Sequence, residues 1–158
     1  MISFDYVVVG AGSAGCVLAD RLSESGRYSV LLLEAGGSDL KPYVQMPIGY
    51  GKTYYDQRVN WKYETEPVEH LNGRTSYWPR GRVLGGSSSI NAMVYVRGHR
   101  SDYAQWEAAA PGWGWADVEP VFRRMEAWHG PADSRRGEDG PLSVTDITAQ
   151  AHPLCSTY

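Results

Sequence analysis

Apolar positions along the chain fall into runs whose period changes from one stretch to the next. Tyr6 to Val9 is a short, continuous, β-branched run of the kind a parallel sheet buries on both faces. From about Ala14 to Ser25 the pattern turns helical, with Leu18 and Leu22 four apart on one face and Gly26 placed as a stop. Val30 to Leu33 is a second wholly apolar run, closed by Glu34. Strand, helix and strand in that order predict a βαβ unit and an α/β, Rossmann-like architecture.

The pattern then loosens. Ser38 to Tyr55 is punctuated by proline and glycine without helical or strand periodicity, which predicts a compact excursion or lid over about residues 38–58. Asn60 to Thr65 alternates, with Trp61, Tyr63 and Thr65 on one face, and Arg74 to Trp78 is a second strand-like run. Asn72-Gly73 between them is a turn signal, so the two runs are expected to pair antiparallel. Ile90 to Val96 is mostly apolar and holds a single polar residue, Asn91. Ser101 or Asp102 is placed to cap a short helix through Ala109, stopped by Pro111-Gly112. Val118, Val121, Phe122, Met125 and Trp128 give one face of an amphipathic helix starting near Ala116, where the N–H that Pro120 lacks is expected to fall among the unpaired first-turn positions. This stripe reads as core. Gly130 to Gly140 reads as a charged surface loop, Leu142 to Thr145 as a strand, and His152 to Tyr158 as the first turns of a helix.

Composition narrows the class. At 158 residues, 42% hydrophobic and 21% charged, the chain is a soluble globular one with enough length to bury a core. A net charge of −3 with no basic run argues against a nucleic-acid partner. Six Trp and eleven Tyr against two Phe suit half-buried surfaces, a hint that the chain packs against more protein. Cys16 and Cys155 form no disulfide framework, and Cys16 is expected to be a buried structural thiol. No apolar run approaches the ~20 residues of a membrane helix and no secretory segment precedes Phe4, so the expectation is a cytoplasmic protein with no membrane partner.

Two stretches carry candidate chemistry. Gly10, Gly12 and Gly15 form G-x-G-x-x-G where strand becomes helix. The first permits the tight bend, the second lets backbone approach a pyrophosphate, and the third lets helix and strand pack closely. Helix-start amides then face the phosphates. Glu34, nineteen residues after Gly15, stands at the spacing from which a carboxylate accepts hydrogen bonds from an adenosine ribose. The plain alternative is a glycine-rich turn with no ligand. In the second stretch, Gly85-Gly86-Ser87-Ser88-Ser89 carries nothing larger than a hydroxymethyl and is flanked by Arg80 and Arg82, a composition that suits an anion-binding concavity. A flexible linker is the alternative there. Asn91 is either a turn cap or a cofactor contact.

The second stretch also carries a family likeness. GRVLGGSSSINAMVYVRGHRSDYA, Gly81 to Ala104, resembles the first signature of the glucose–methanol–choline flavoprotein oxidoreductases. NWKYETEP (60–67), PGWGWADVEPVFRRME (111–126) and GPLSV (140–144) are similar to that family too, nearest its bacterial choline and alcohol dehydrogenase-like branch, which includes pyridoxine and hydroxymethylfurfural oxidases. The resemblance implies FAD. By position, Gly10, Gly12, Ser13, Ala14 and Gly15 would line the pyrophosphate, and Glu34 with Ala35 would hold the adenosine. Trp61, Arg82, Val83, Gly86, Ser87, Asn91, Ala92, Met93 and Val94 match positions that wrap the cofactor towards the isoalloxazine. Some members link flavin covalently through a histidine just before that Asn. Ile90 stands there, which implies non-covalent FAD.

The implied reaction is hydride removal from an alcohol to flavin N5, with a positioned base taking the hydroxyl proton. The family's catalytic His–His or His–Asn pair lies in the C-terminal part of a longer chain, and His70, His99, His129 and His152 do not match it. No catalytic residue is therefore assigned, and catalysis is expected to need residues beyond Tyr158. The expected partners are a small-molecule alcohol and the remaining C-terminal polypeptide as a complementing chain, with residues 1–130 the FAD-binding portion and 131–158 a loop and the start of a substrate domain. Alone, the chain is expected to be inactive. A flavin-retaining hydroxynitrile-lyase-like enzyme and a non-catalytic nucleotide-binding module are the alternatives.

Overall fold

The computed structural model describes residues 2–152. Cys155 and the helix start read near the chain's end lie outside the described residues. Packing divides the chain into two compact units between Val94 and Tyr95.

The first unit opens with β1 (Tyr6–Val9), α1 (Ser13–Ser23) and β2 (Val30–Leu33). The strands pair parallel from Tyr6 opposite Val30 to Val9 opposite Leu33, so the predicted βαβ unit forms. Gly26, at φ +67°, turns the chain out of α1. At the sheet's start the Asp5 carboxylate accepts the Ser29 N–H and hydroxyl, each at 2.7 Å. These bonds hold its pKa below the ordinary carboxylate value.

Between Ser38 and Tyr55, where the sequence shows no periodicity, the excursion is built of α2 (Pro42–Gln45), a 3₁₀ turn at Pro47–Gly49, and α3 (Tyr50–Thr53). Each is about one turn, too short to show a 3.6-residue period, and Pro42 and Pro47 start turns where their missing N–H costs nothing. The excursion is compact because Val44 packs on the core formed by Val59, Val83 and Ile90.

The antiparallel pair forms, but as β3 (Tyr63–Glu64) against β4 (Tyr77–Trp78), shorter than the alternation predicted. Lys62 at φ +56° breaks the strand before Tyr63, and only single bridges, Asn60 to Gly81 and Val68 to Arg74, extend the ladder. Asn72 and Gly73, at φ +57° and +71°, make the predicted turn. Gly81 to Ser89 then runs beside the strand exits. Bridges join Gly37 to Val83 and Gly12 to Gly85, and Gly85 N–H donates to the Ala11 carbonyl at 2.8 Å.

The second unit contains α4 (Arg100–Ala109), α5 (Trp115–Met125), β5 (Glu126–Trp128) and β6 (Leu142–Val144), the two strands pairing parallel. Three readings are corrected here. The cap of α4 is His99, whose Nδ1 accepts the Ser101 N–H while its own N–H donates to Asp102 at 2.9 Å. Trp128 lies on β5 rather than on the α5 face, since the chain becomes extended at Glu126. The loop from Gly130 to Gly140 is not wholly at the surface. Arg136 (3.2 Å) and Arg97 both pair with the fully buried Glu126 carboxylate, which also accepts the Gly137 N–H at 3.0 Å. A buried carboxylate must find compensating charge, and the loop supplies part of it. Tyr103 packs edge-on to Trp106 and Phe122 between the two helices. No helix among the described residues is long and apolar enough to cross a membrane.

Candidate cofactor site

The glycine turn between β1 and α1 separates two open cavities of about 620 and 610 Å³. Gly10, Gly12 and Ser87 line both. Glu34, Ala35, Trp61 and Gly86 line the first, and Ser13, Ala14 and Gly15 the second. Ten of the sixteen residues assigned from the sequence are thus gathered around one turn.

Each glycine of that turn has its own reason. A Cβ at Gly15 would collide with the Gly10 carbonyl, so Gly15 allows α1 to pack against the strand exit. Gly10 adopts φ +97°, a left-handed conformation that favours glycine. A Cβ at Gly10 or Gly12 would meet no protein atom within 4 Å. The turn is therefore a cradle whose open side is left clear for a ligand.

The second glycine stretch lines the first cavity through Gly86 and Ser87 and also brings backbone onto backbone. A Cβ on Gly86 would come within 2.9 Å of Gly12 Cα, and one on Gly81 would collide with the Gly86 carbonyl. Small residues here let one backbone lie directly on another. Two serines are also used internally, Ser88 Oγ donating to Gly85 O at 2.6 Å and Ser89 Oγ to Leu84 O at 2.7 Å. Ser87 is the exception. Its Oγ accepts the Gly81 N–H at 3.1 Å and keeps its own O–H to donate beside both cavities.

Glu34 sits at the end of β2, half-buried. Its Oε2 accepts the Ala11 N–H at 2.9 Å and its Oε1 the Gly36 N–H at 2.8 Å. Among the described residues it has no cationic partner, and each oxygen retains a lone pair for a further donor such as a vicinal diol. Among the described residues, Arg80 is the one cation lining the 620 Å³ cavity, its guanidinium 4.9 Å from the Trp78 ring centre. Arg82 lies 5.3 Å from the Trp61 ring centre and lines a neighbouring open cavity of about 640 Å³ instead.

Five assigned residues line none of these three cavities. Val83 is fully buried in the core with Val59 and Ile90. Asn91, Ala92, Met93 and Val94 are exposed, and Asn91 Oδ1 accepts the Met93 N–H at 2.8 Å, closing a local turn around Met93 at φ +58°. Sequence reasoning did not assign Val9, Leu33, Tyr63, Arg80 or Gly81 to the site, yet all line the first cavity. The signal for Val9 and Leu33 was their place as last residues of adjacent parallel strands, where ligands of such sheets bind.

An ADP-bearing cofactor fits these groups. The amides at the start of the eleven-residue α1 and the positive end of its dipole suit a diphosphate, Glu34 suits a ribose, and Val9 with Leu33 offers apolar wall.

Known proteins resemble this chain. The chain is 56% identical over 142 residues to the oxygen-dependent choline dehydrogenase of Vibrio vulnificus (strain YJ016), covering 89% of this chain and 25% of that protein. Among solved structures, pyridoxine 4-oxidase from Mesorbium loti superposes with a TM-score of 0.90 at 38% identity, covering 98% of this chain and 30% of that one. A formate oxidase of Aspergillus oryzae RIB40, studied for FAD modification, gives 0.79 at 31% identity over 90% of this chain and 26% of its own. The chain thus spans about a quarter of the length of the curated relatives it matches. The GMC oxidoreductase family model matches residues 4–158, and the chain belongs to that family.

Proposed function

We propose that this chain supplies the FAD-holding part of an enzyme that oxidises a small alcohol, with residues 1–130 serving the cofactor and 131–158 leading into a substrate domain. The observation that carries the reading is the open glycine cradle with Glu34 at its end and no cation paired to it among the described residues. When bound, FAD supplies a hydride acceptor at N5 for the alcohol carbon. The chain's own residues hold the rest of that cofactor. The α1 amides and Ser87 meet the diphosphate, Arg80 balances its charge, and Glu34 accepts the ribose hydroxyls. Trp61 and Arg82, beyond the cradle, extend the wall towards the flavin, with Val83, Asn91, Ala92, Met93 and Val94 assigned to the same end. Ile90 is 5% exposed within an apolar core and offers no nucleophile, which supports non-covalent FAD.

The base that takes the alcohol proton is assigned to the remaining polypeptide of the enzyme. Support for such a partner comes from the sheet. A parallel pair is stable when covered on both faces, yet Val7 and Val9 are 55% and 82% exposed and Leu18 on α1 is 53% exposed. A cytoplasmic location goes with this reading.

The test is anaerobic mixing of a complete polypeptide carrying this segment with choline, pyridoxine and simple primary alcohols. Bleaching of the flavin absorbance by at least one is expected, and acid precipitation should leave the flavin in the supernatant. A flavin that no alcohol bleaches would sink the oxidoreductase reading.

A further inference from the structure

Asn60 is 2% exposed, and its side chain is spent almost wholly on main chain. Its Oδ1 accepts the N–H groups of Lys62 at 2.9 Å and Arg80 at 3.0 Å. Its Nδ2 donates to the Tyr54 carbonyl at 2.8 Å, with the Tyr77 hydroxyl oxygen at 3.4 Å and the Thr53 carbonyl at 3.5 Å. The same Tyr54 carbonyl accepts the Tyr77 hydroxyl at 2.6 Å. One amide therefore joins three segments: the end of the excursion, the 60–62 corner and the strand leaving β4.

Two of those segments wall the cofactor cavity. Trp61 lies between Asn60 and Lys62, and its N–H donates to the Arg80 carbonyl at 2.8 Å. Lys62 at φ +56° is a conformation that a side chain bearing Cβ adopts at a cost, and the bond from its N–H to Asn60 stabilises it. That bend turns the chain so that Trp61 stacks on Tyr63, ring centres 5.9 Å apart, and both line the cavity.

We propose that Asn60 is the positioning residue of this cavity. Through Lys62 and Arg80 it sets the Trp61 and Arg80 walls, and through Tyr54 it ties those walls to the excursion, so that cofactor occupancy and order of the excursion rise together. The inference rests on the FAD reading above. Asparagine is required because the position needs two acceptor lone pairs on one side and a donor on the other. An aspartate of the same shape keeps the acceptors but turns an oxygen towards two carbonyls.

The experiment uses a complete polypeptide carrying this segment and compares Asn60→Asp with Thr53→Val. Thr53 is 1% exposed and, among the described residues, its hydroxyl donates to the Tyr50 carbonyl at 3.0 Å, so its side chain takes no part in the Asn60 bonds, and Thr53→Val leaves the carbonyl that Asn60 meets in place. FAD dissociation constants come from flavin fluorescence, thermal midpoints from circular dichroism, and amide exchange is followed across residues 50–62 with and without FAD. Asn60→Asp should raise the FAD dissociation constant at least about tenfold more than Thr53→Val at a matched loss of thermal stability. In the unsubstituted protein, FAD should slow exchange at residues 50–56. Equal FAD affinities at matched stability would overturn the proposal. So would exchange at 50–56 that ignores FAD, and this second readout decides the matter alone if Asn60→Asp does not fold. An unsubstituted protein that takes up no FAD would overturn the proposed function itself, a result plainly different from either.

Discussion

Two glutamates at strand ends show how differently the chain treats a carboxylate. Glu126, at the start of β5, is fully buried and meets two guanidinium groups and a backbone amide. Glu34, at the exit of β2, is half-buried and meets only two backbone amides. Burying a charge in the interior is costly, so Glu126 is compensated within its own unit and, at 0% exposure, is shut away from solvent and any ligand. Glu34 stays near solvent beside a cavity and spends one lone pair of Oε2 on the glycine turn at Ala11 and one of Oε1 on its own following turn at Gly36. The difference teaches that a binding acid is recognised by what it leaves unpaired.

The sharpest way to break this comparison is Glu126→Ala, which strands two guanidinium groups that are only 12% and 27% exposed. A loss of about 3–5 kcal/mol is expected, read as a lowered urea midpoint, with FAD affinity unchanged in whatever remains folded. A loss of FAD without a loss of stability would reverse the roles of the two acids.

Next in size is Glu34→Gln. Its amide accepts one backbone N–H and sets a donor against the other, so the turn loosens and the diol loses an acceptor. FAD retention should fall by about one to two decades while the unfolding midpoint moves by less than about 1 kcal/mol. Unchanged flavin content would undo the ribose assignment.

The smallest effect concerns an exposed pair. Hydrogen bonds from the Arg58 guanidinium and backbone amide hold the Asp56 pKa down at about 2 from the ordinary 3.8. A depressed folded-state pKa gives stability that is present above the unfolded value and lost as pH falls through the folded one. The contribution therefore exists above about pH 4 and disappears towards pH 2. Because Arg58 is 72% exposed, it should be under about 1 kcal/mol. The gap in unfolding midpoint between the unsubstituted protein and Arg58→Gln should close over that window, and a gap that is constant with pH would remove the ion pair from the account.

Much of the first unit was legible because local rules and tertiary packing agree there. β1, α1 and β2 follow from apolar period and glycine punctuation, and Gly10, Gly12, Gly15 and Glu34 follow from the phosphate- and ribose-binding chemistry of a strand-to-helix corner, whereas Ser13, Ala14, Ala35, Trp61, Gly86 and Ser87 were assigned by the family resemblance. Where the reading went astray, a long-range contact overruled the local pattern. Trp128 fits the α5 stripe by spacing, but the chain leaves the helix at Glu126. The charged residues of 130–140 look like surface until Glu126 requires Arg136. The excursion's helices are too short to have a period. Asn60, an isolated amide in an alternating run, gives no sign of having partners up to twenty residues away.

By itself, then, the sequence determined the βαβ unit, the place of the glycine cradle and the acid at its end, because each depends on residues close together along the chain. The tertiary structure alone decided at which glycines a side chain would meet open space and at which it would meet another backbone. It also decided that two of three serines are consumed internally and that one of two strand-end acids stays open. Those outcomes depend on which segments meet in space, and side-chain type does not encode a meeting between distant parts of the chain.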